Sequence, residues 1–365
     1  MKGRYFIGKV LATACIGMAA MQAASAAVEY RVTVVGPPDS RANAINNAGI
    51  IVGTFPANAT FTRAFMSRGR GWVELGAPGV STGANAINDR GEVLGFWRTP
   101  TGQGRGAIWY RGVQRDLGVV PGALGTSYVG IDNAGYTVVQ ATSGETTRSY
   151  LRAPGGALRD LGALFTTNPL TEAHAINNRN QVTGAAGEFS RPETPYRAFL
   201  WARGVLRDLG DFGSAPNEGN DINDRGQVVG YLAVPTGGPH DRVAFIYTNG
   251  RLRDIDGRPA SGFRYSQAQG INNYRHAVGD SDHLSGWVYR GRRMQSLNAL
   301  IDPASGWNIQ LPRDINDAGQ IAATGARNGQ YYAVRLDLIR PHLETAPALD
   351  DADLPELLAP VPPAP

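Results

Sequence analysis

The sequence predicts an all-β protein, a seven-bladed β-propeller built of four-stranded blades. Its main sign is a repeat: DINDRGQVVG at residues 221–230 returns as AINDRGEVLG at 86–95, with five looser copies elsewhere. Successive copies lie 42, 44, 45, 46, 49 and 44 residues apart, and a period near 45 is typical of a propeller blade. The amphipathic stretches that helical repeats require are missing. The seven copies are anchored on Ile45, Ile87, Ile131, Ile176, Ile222, Ile271 and Ile315.

The first predicted strand of each unit is a short run of small residues that ends in the anchoring isoleucine, as in residues 42–45 and 173–176. Small side chains suit an innermost strand, crowded near an axis. The Asn-Asp-Arg-Gly segment that follows predicts a tight turn, because Asn or Asp bonds its own backbone ahead and Gly accepts a positive φ. The second strand follows at once, as in residues 227–230.

The third predicted strand is aromatic and aliphatic, as in residues 197–201 and 243–247. Side chains alternate between the faces of a strand, so Phe199 and Trp201 share one side, as do Phe245 and Tyr247. We expect these pairs to make the contacts between blades. A second tight turn leads to the fourth strand at 205–210, whose Arg-Asp pair we interpret as part of an exposed ladder of salt bridges.

The seventh unit lacks a fourth strand of its own, since its pattern ends with the third strand at residues 332–336. Residues 30–36, ahead of the first unit, have a strand pattern and no partner of their own. We therefore expect this N-terminal strand to complete the last blade. Such closure leaves only short, protected sheet edges.

Two turns depart from the repeat. Asn180 replaces the turn glycine in the fourth unit and tolerates a left-handed backbone, whereas Arg275 in the sixth tolerates it poorly. The sixth turn is therefore expected either to have another shape or to store strain. The turn carboxylates could in principle hold calcium, but most copies carry neutral Asn there. We expect no metal site and no cofactor.

In its sub-motifs the unit resembles the HAF repeat of exported bacterial proteins. The resemblance rests on A-I-N-x-x-G-x-V-x-G, then A-F-L-W, then L-x-D-L-G, and covers roughly residues 28–340. It implies a propeller-like body and an extracellular or surface address, and it carries no catalytic residues. The histidine that names the family is replaced here by Arg63, Arg197 or Val243.

The chain divides into three segments. Residues 1–26 are predicted to be a signal peptide, because they contain basic residues, an apolar run too short for a membrane span and a small-x-small cleavage pattern. Residues 27–340 form the propeller, and residues 341–365 a disordered tail rich in proline and acids. We expect an exported monomer, periplasmic or extracellular, without a membrane span. Its arginines are scattered rather than clustered, which argues against nucleic-acid binding.

The longer, more variable connections are expected on the face opposite the repeated turns. Loops held by a rigid scaffold favour function, so the candidate residues are taken from this face. Acid and imidazole groups that could share proton transfer are Glu188, Glu193, His240, Asp241, Asp280, Asp282 and His283. Aromatic and arginine side chains that could bind a ligand are Trp97, Arg98, Arg191, Tyr196, Arg264, Tyr265 and Trp307.

The favoured function is a non-enzymatic binding or scaffolding module whose ligand, a glycan or an extracellular protein, occupies the variable-loop face. The alternative is an extracellular hydrolase or lyase acting on carbohydrate with the acids and histidines of that face. The simplest interpretation of the two groups of Asp and His residues, at 240–241 and 280–283, is that polar residues occupy solvated turns. Sequences typical of a phosphate loop, a serine nucleophile elbow or a zinc protease do not occur.

Overall fold

The computed structural model describes residues 28–69, 71–189, 196–210, 216–234, 241–258 and 264–340. The signal segment, the tail, Arg191, Glu193 and His240 lie outside these ranges. The described residues form β-strands and turns, with two short 3-10 helices, Leu297–Ala299 and Pro303–Ser305, and without an α-helix. No helix within these ranges has the length and apolar character needed to cross a bilayer.

Each of the first six repeats contributes four strands and the seventh contributes three, and the groups of four paired strands described below are called sheet 1 to sheet 7 in chain order. The chain starts with β1 (Tyr30–Pro38), which belongs to sheet 7. Sheet 1 contains β2 (Arg41–Ile45), β3 (Ile51–Pro56), β4 (Thr62–Arg68) and β5 (Gly71–Leu75). Sheet 2 contains β6 (Thr82–Ile87), β7 (Val93–Arg98), β8 (Gly104–Tyr110) and β9 (Val113–Gly118). Sheet 3 contains β10 (Gly125–Ile131), β11 (Thr137–Ser143), β12 (Thr146–Arg152) and β13 (Leu158–Asp160).

Sheet 4 contains β14 (Pro169–Ile176), β15 (Val182–Glu188), β16 (Arg197–Ala202) and β17 (Val205–Asp208). Sheet 5 contains β18 (Asn217–Ile222), β19 (Val228–Ala233), β20 (Arg242–Thr248) and β21 (Arg251–Asp254). Sheet 6 contains β22 (Ser266–Ile271), β23 (Ala277–Ser281), β24 (Ser285–Arg290) and β25 (Arg293–Ser296). Sheet 7 contains β26 (Asn308–Ile315), β27 (Ile321–Arg327), β28 (Gln330–Leu338) and β1. A single parallel bridge, Thr147 to Leu170, also joins sheets 3 and 4.

Within every sheet the neighbouring strands are antiparallel, and consecutive strands of a repeat lie side by side. The connections between first and second strands and between third and fourth strands therefore share one side of the molecule, called the turn face. The remaining connections share the opposite side, called the loop face. In sheet 7 the outer place is taken by β1, which pairs with β28 from Tyr30 opposite Leu338 to Pro38 opposite Tyr332.

The hydrophobic core lies between adjacent sheets. Phe199 and Trp201 of β16 are fully buried and pack with Val138 and Leu151 of sheet 3, as the alternation predicts. Phe245 and Tyr247 of β20 pack in the same way against sheet 4. Burying one such side chain contributes about 1.5–3 kcal/mol. Aromatic third strands therefore hold the sheets face to face.

The repeated turns have one shape in all seven units. In sheet 6 the Arg275 amide donates to the Asn272 carbonyl at 3.1 Å, the bond that Gly91 makes to Asn88 in sheet 2. Arg275 has φ +62° and Asn180 φ +55°, both in the left-handed region. Of the two outcomes expected for the sixth turn, the structure shows the second: the shape is kept, and Arg275 bears the strain.

A β-bulge interrupts the first strand of every sheet at the same place, as between Ala84 and Ala86 in β6. The bulge brings a carbonyl of the first strand against the last glycine of the repeated motif. A Cβ on Gly230 would lie 1.8 Å from the Glu218 oxygen, so only glycine fits there. The unpaired bulge residue turns its side chain to the next sheet: Asn85 Nδ2, for example, donates to the Tyr128 carbonyl at 2.7 Å.

The fourth-strand aspartates form salt bridges, but not a ladder with their neighbouring arginines. Asp116 pairs with Arg105 and Asp160 with Arg148, each at 2.6 Å, and both arginines come from the third strand of the same sheet. The fourth-strand arginine is released for other contacts. Arg159 stacks over the Trp201 ring of sheet 4, 5.2 Å from its centroid, and so joins two sheets.

Candidate functional site

The loop face carries the predicted site residues at several separate places. Trp97 and Arg98 belong to sheet 2 and Glu188 to sheet 4, whereas Tyr196 directly precedes a strand of sheet 4 and Trp307 a strand of sheet 7. The remaining described candidates meet where sheets 5 and 6 adjoin, together with residues that the sequence did not single out. The sheet 5–6 cluster consists of Tyr231, Asp241, Arg242, Asp254, Asp256, Arg258, Arg264, Tyr265, Asp280, Asp282 and His283.

The separate candidates are held by local contacts. Trp97 donates from Nε1 to Asp116 at 3.3 Å, and Arg98 donates to the Gly102 carbonyl at 3.1 Å. Trp307 packs edge-on against Tyr332 and lies under the Arg327 guanidinium. Each of these side chains therefore has a structural role where it stands.

At the centre of the cluster, Arg242 lies between two tyrosine rings. Its guanidinium carbon is 4.7 Å from the ring centroids of both Tyr231 and Tyr265. The Arg242 amide donates to the Arg264 carbonyl at 2.9 Å, which fixes the start of β20 against the loop before β22. Cation–π contacts on both faces hold the guanidinium in one plane.

The two tyrosines are anchored by acids. Tyr265 donates its hydroxyl to Asp280 at 2.9 Å, and Gln267 donates to the same carboxylate at 3.1 Å. Burial and the nearby Asp280 raise the pKa of Tyr265. Burial and a hydrogen bond to Glu218 raise the pKa of Tyr231 in the same way. Both phenols stay protonated and act as hydrogen-bond donors.

A second group of charges borders this centre. Arg258 contacts Asp256 at 2.7 Å and Asp282 at 2.9 Å, and His283 lies 3.4 Å from Asp282. Burial opposes ionisation of Asp256 and Asp282, but hydrogen bonds, those from Arg258 foremost, outweigh it and hold the pKa of each below its usual range. Both stay ionised, so neither suits the role of a general acid.

Three polar side chains of the cluster, of which Asp241 and Arg264 are buried and Arg242 is partly buried, have bonding capacity left over. Asp241 is 3% exposed, and neither of its carboxylate oxygens has a hydrogen-bond partner among the described residues. Arg264 is 4% exposed and pairs with Asp254 at 2.8 Å, yet its Nε is unpartnered, as is that of Arg242. Buried polar groups are almost always bonded, so these atoms are exceptions among the described residues and are available for a further hydrogen bond.

Within the described ranges, the Asp and His candidates are not grouped as ligands around a common point. No three His, Asp or Glu side chains there are arranged to hold an ion. His240, one member of the predicted grouping, lies outside these ranges. The described members are instead engaged with arginine and tyrosine.

On the turn face, hydrogen bonds link equivalent turn residues of neighbouring sheets in two series, which are called the first-position ring and the second-position ring. In the first-position ring, the side-chain amide of the first turn residue donates to the backbone carbonyl of the equivalent residue in the next sheet. The donors are Asn46, Asn88, Asn177, Asn223, Asn272 and Asn316, at 2.8–3.1 Å. In the second-position ring, the side-chain oxygen of the second turn residue accepts from the backbone amide of the equivalent residue in the neighbouring sheet. The acceptors are Asn47, Asp89, Asn133, Asn178, Asp224, Asn273 and Asp317, at 2.8–3.0 Å.

The first-position ring is broken at one place. Asp132 stands where the other repeats have Asn, so its side chain has no amide to donate to Asn177. It is 2% exposed; Oδ1 accepts from the Tyr136 amide at 2.8 Å, and Oδ2 has no partner. Burial raises the pKa of this carboxyl group, and backbone hydrogen bonds only partly offset the effect.

The rings surround an axial cavity of about 160 Å3, lined by the anchoring isoleucines and the turn amides. Asp221 and Asp314 also line it, at a position that is Ala or Gly in the other repeats. Each accepts from the isoleucine amide of the next sheet, Asp221 from Ile271 at 2.8 Å and Asp314 from Ile45 at 2.9 Å. Burial, and for Asp221 also the charge of Asp314, raises their pKa values to about 7 and about 6 respectively.

No protein-family model matches the sequence, and no curated protein matches it. Solved structures resemble it in fold. Inactive virginiamycin B lyase from Staphylococcus aureus, with quinupristin, is 12% identical with a TM-score of 0.53, over 85% of this chain and 100% of that one. The β-propeller domain of the trilobed protease from Pyrococcus furiosus, described as having an open velcro topology, is 12% identical with a TM-score of 0.51, over 73% and 86%.

YCF48, solved with D1 peptide, is 13% identical with a TM-score of 0.50, over 84% of this chain and 94% of that one. At such identities the likeness concerns the fold and not the activity. Together with the four-stranded antiparallel sheets, it shows that this chain is an all-β protein with a β-propeller fold.

Proposed function

We propose that the chain is an exported, closed, seven-bladed propeller that acts as a binding or scaffolding module without catalysis. Its glycan or protein ligand would bind the loop face at the sheet 5–6 cluster. The observation that carries this proposal is the unused bonding capacity of Asp241, Arg242 and Arg264, next to tyrosines that can stack on a ligand. A pre-organised site of this kind loses little side-chain entropy on binding.

Two observations support seven blades in a closed ring. Both rings on the turn face continue from sheet 7 to sheet 1, where Asn316 Nδ2 donates to the Asn46 carbonyl and the Asp317 amide to Asn47 Oδ1, each at 3.0 Å. In addition, β1 supplies the outer strand of sheet 7 from the other end of the chain. Closure by strands from both ends would prevent the ring from opening at that point.

The state of the acids favours a module over an enzyme. Asp256 and Asp282 are ionised and held by Arg258, and Asp280 is occupied by Tyr265 and Gln267. A carbohydrate hydrolase needs one carboxyl group that is protonated at its working pH and free to reach the substrate. The export part of the proposal is supported by the basic and apolar character of residues 1–26 and by the absence of any cysteine after Cys15.

The test is a binding screen of residues 27–340 against arrays of glycans and of extracellular proteins. Tyr265→Ala removes one of the two rings that stack on the Arg242 guanidinium and should weaken ligand binding by about tenfold or more. Tyr110→Ala is the matched control, since Tyr110 is an exposed tyrosine under Arg111 at the turn-face end of β8. Equal binding by both variants, or hydrolysis of a glycan by the unaltered chain, would refute the proposal.

A further inference from the structure

A second concave site lies on the loop face, where sheet 7 meets sheet 1. The cavity measures about 670 Å3, within the range of small-molecule pockets. It is called the seam pocket. Its walls come from the turn between β1 and β2, from the loop-face ends of β3 and β4, and from sheet 7. The lining residues used below are Asp39, Arg41, Thr54, Gln310, Thr324 and Tyr331.

The turn between β1 and β2 is held rigidly. Ser40 is fully buried; its hydroxyl donates to the Pro37 carbonyl at 2.5 Å and accepts from the Ala333 amide at 2.8 Å. Asp39 has φ +59° and donates its amide to the Tyr331 carbonyl at 2.8 Å. This frame fixes the two residues that flank Ser40, Asp39 and Arg41, and both line the pocket.

The charged groups of the pocket are not used by the described part of the chain. Within the described ranges, the carboxylate of Asp39 and the guanidinium of Arg41 make neither a hydrogen bond nor a salt bridge to another side chain, although the backbone around them is fully bonded. One acid and one base leave the lining without net charge. Gln310 adds an amide, and Thr54 and Thr324 add hydroxyl groups.

Tyr331 gives the pocket an aromatic surface. Tyr331 is 46% exposed, while Phe55, Pro56 and Leu311 form an apolar part of the lining. A neutral sugar fits this combination, because its hydroxyl groups both donate and accept while its C–H face packs on an aromatic ring. A charged ligand would leave Asp39 or Arg41 facing a like charge.

We infer that the seam pocket binds one unit of a neutral carbohydrate, with Asp39 and Arg41 bonding its hydroxyl groups and Tyr331 stacking on its ring. The inference rests on the proposed binding function and deepens it by naming a ligand class and a place separate from the sheet 5–6 cluster. Only the meeting of the N-terminal strand with the last repeat creates this pocket. A bound sugar therefore adds its binding free energy to the contact between sheets 7 and 1.

The experiment uses saturation-transfer NMR and calorimetry on the unaltered chain with glucose, galactose, mannose, fucose, N-acetylglucosamine and N-acetylgalactosamine at millimolar concentration. Glucuronic acid and glucosamine are the charged probes. We expect saturation transfer to at least one neutral sugar and weaker transfer to its charged relative. Asp39→Asn keeps the shape and tolerates the positive φ, and it should weaken binding about tenfold, as should Tyr331→Ala.

Tyr331→Phe should retain binding, and Tyr110→Ala on the turn face is the control. The inference fails if no neutral sugar shows transfer, or if Asp39→Asn and Tyr331→Ala bind as the unaltered chain does. Sugar binding that is lost in Tyr265→Ala but kept in Asp39→Asn would overturn the inference and leave the proposed function standing. Sugar binding that depends on Asp39 and not on Tyr265 would support the inference and would show that the sheet 5–6 cluster takes no part in sugar binding.

Discussion

At the scale of single residues, Asp132 is the one place where the first-position ring lacks a donor. Changing Asp132→Asn supplies an amide opposite the Asn177 carbonyl without a change of shape. The new hydrogen bond and the removal of a buried unpartnered oxygen should raise the free energy of unfolding by about 1 kcal/mol. Urea denaturation followed by tryptophan fluorescence measures this change.

The reverse substitution controls the first. Asn223→Asp removes a donor from an intact link, at 2.9 Å to the Asn272 carbonyl, and should destabilise the protein by a similar amount. A stability gain of Asp132→Asn should also be larger at pH 7 than at pH 4, because the raised pKa of Asp132 penalises only its ionised form. A gain that is independent of pH, or no gain, would contradict this account of the ring.

Asp221 and Asp314 make stability depend on pH in a defined direction. Their folded pKa values, about 7 and about 6, lie above the value of about 3.9 for an unfolded aspartate. The folded protein therefore binds more protons between these limits. Their stabilising contribution is complete below about pH 4 and is lost as the pH rises through 6 to 7. Thermal melting between pH 4 and pH 8 should show this fall.

The matched variant is Asp221→Asn, which keeps an oxygen to accept from Ile271 and has no charge. Its melting temperature should fall less between pH 4 and pH 8 than that of the unaltered chain. The remaining change, which belongs to Asp314, should be centred at about pH 6, the lower of the two values. Identical profiles for the two proteins would mean that these carboxyl groups do not titrate in this range.

At the scale of structural elements, the sixth turn stores strain at Arg275. A non-glycine residue in the left-handed region costs about 1 kcal/mol, and the Arg275 side chain is exposed, so its removal loses little. Arg275→Gly should therefore stabilise the protein by up to about 1 kcal/mol, less the entropy that glycine adds to the unfolded chain. Gly91→Arg, in the equivalent turn of sheet 2, should destabilise it. If both variants melted as the unaltered chain does, the turn would carry no strain.

The strands, the turns and the aromatic contacts between sheets could be predicted from local residues, whereas the bulges and the hydrogen bonds between repeats could not. The alternation of Phe199 and Trp201 fixes the face they share, and the turn residues fix the bends. A bulge depends on how a strand pairs, so nothing near Asn85 revealed it. The rings likewise join residues about 45 positions apart, and only the Asn at the first turn position, repeated in six of the seven units, hinted at them.

The candidate site could be predicted only in part for the same reason. Arg264, Tyr265 and Asp280 stood out because they belong to variable connections. Tyr231 and Arg242 did not stand out, since each lies in a strand whose sequence resembles those of the other repeats. Their role comes from the stacking of Arg242 between the Tyr231 and Tyr265 rings. Asp39 and Arg41 were missed because their neighbours in the seam pocket come from the other end of the chain.

At the scale of the whole molecule, the N-terminal strand determines whether sheet 7 has four strands or three. A chain that begins at residue 39 lacks β1 and leaves the edge of β28 unpaired from Tyr332 to Leu338. Exposed strand edges aggregate, and the buried side chains Tyr30 and Val35 would also be lost from two clusters of the core. We expect a large drop in melting temperature and concentration-dependent association, compared with a chain that begins at residue 28.

A synthetic peptide of residues 28–40 provides the decisive comparison for that truncation. If β1 acts by pairing with β28, the added peptide should bind the truncated chain, raise its melting temperature in proportion to the logarithm of the peptide concentration, and suppress association. A peptide with Val32 and Val34 changed to Asp should not, because both residues pack against the core of sheet 7. If the truncated chain melted like the longer one, the N-terminal strand would contribute nothing to the ring, and its pairing with the last repeat would be dispensable.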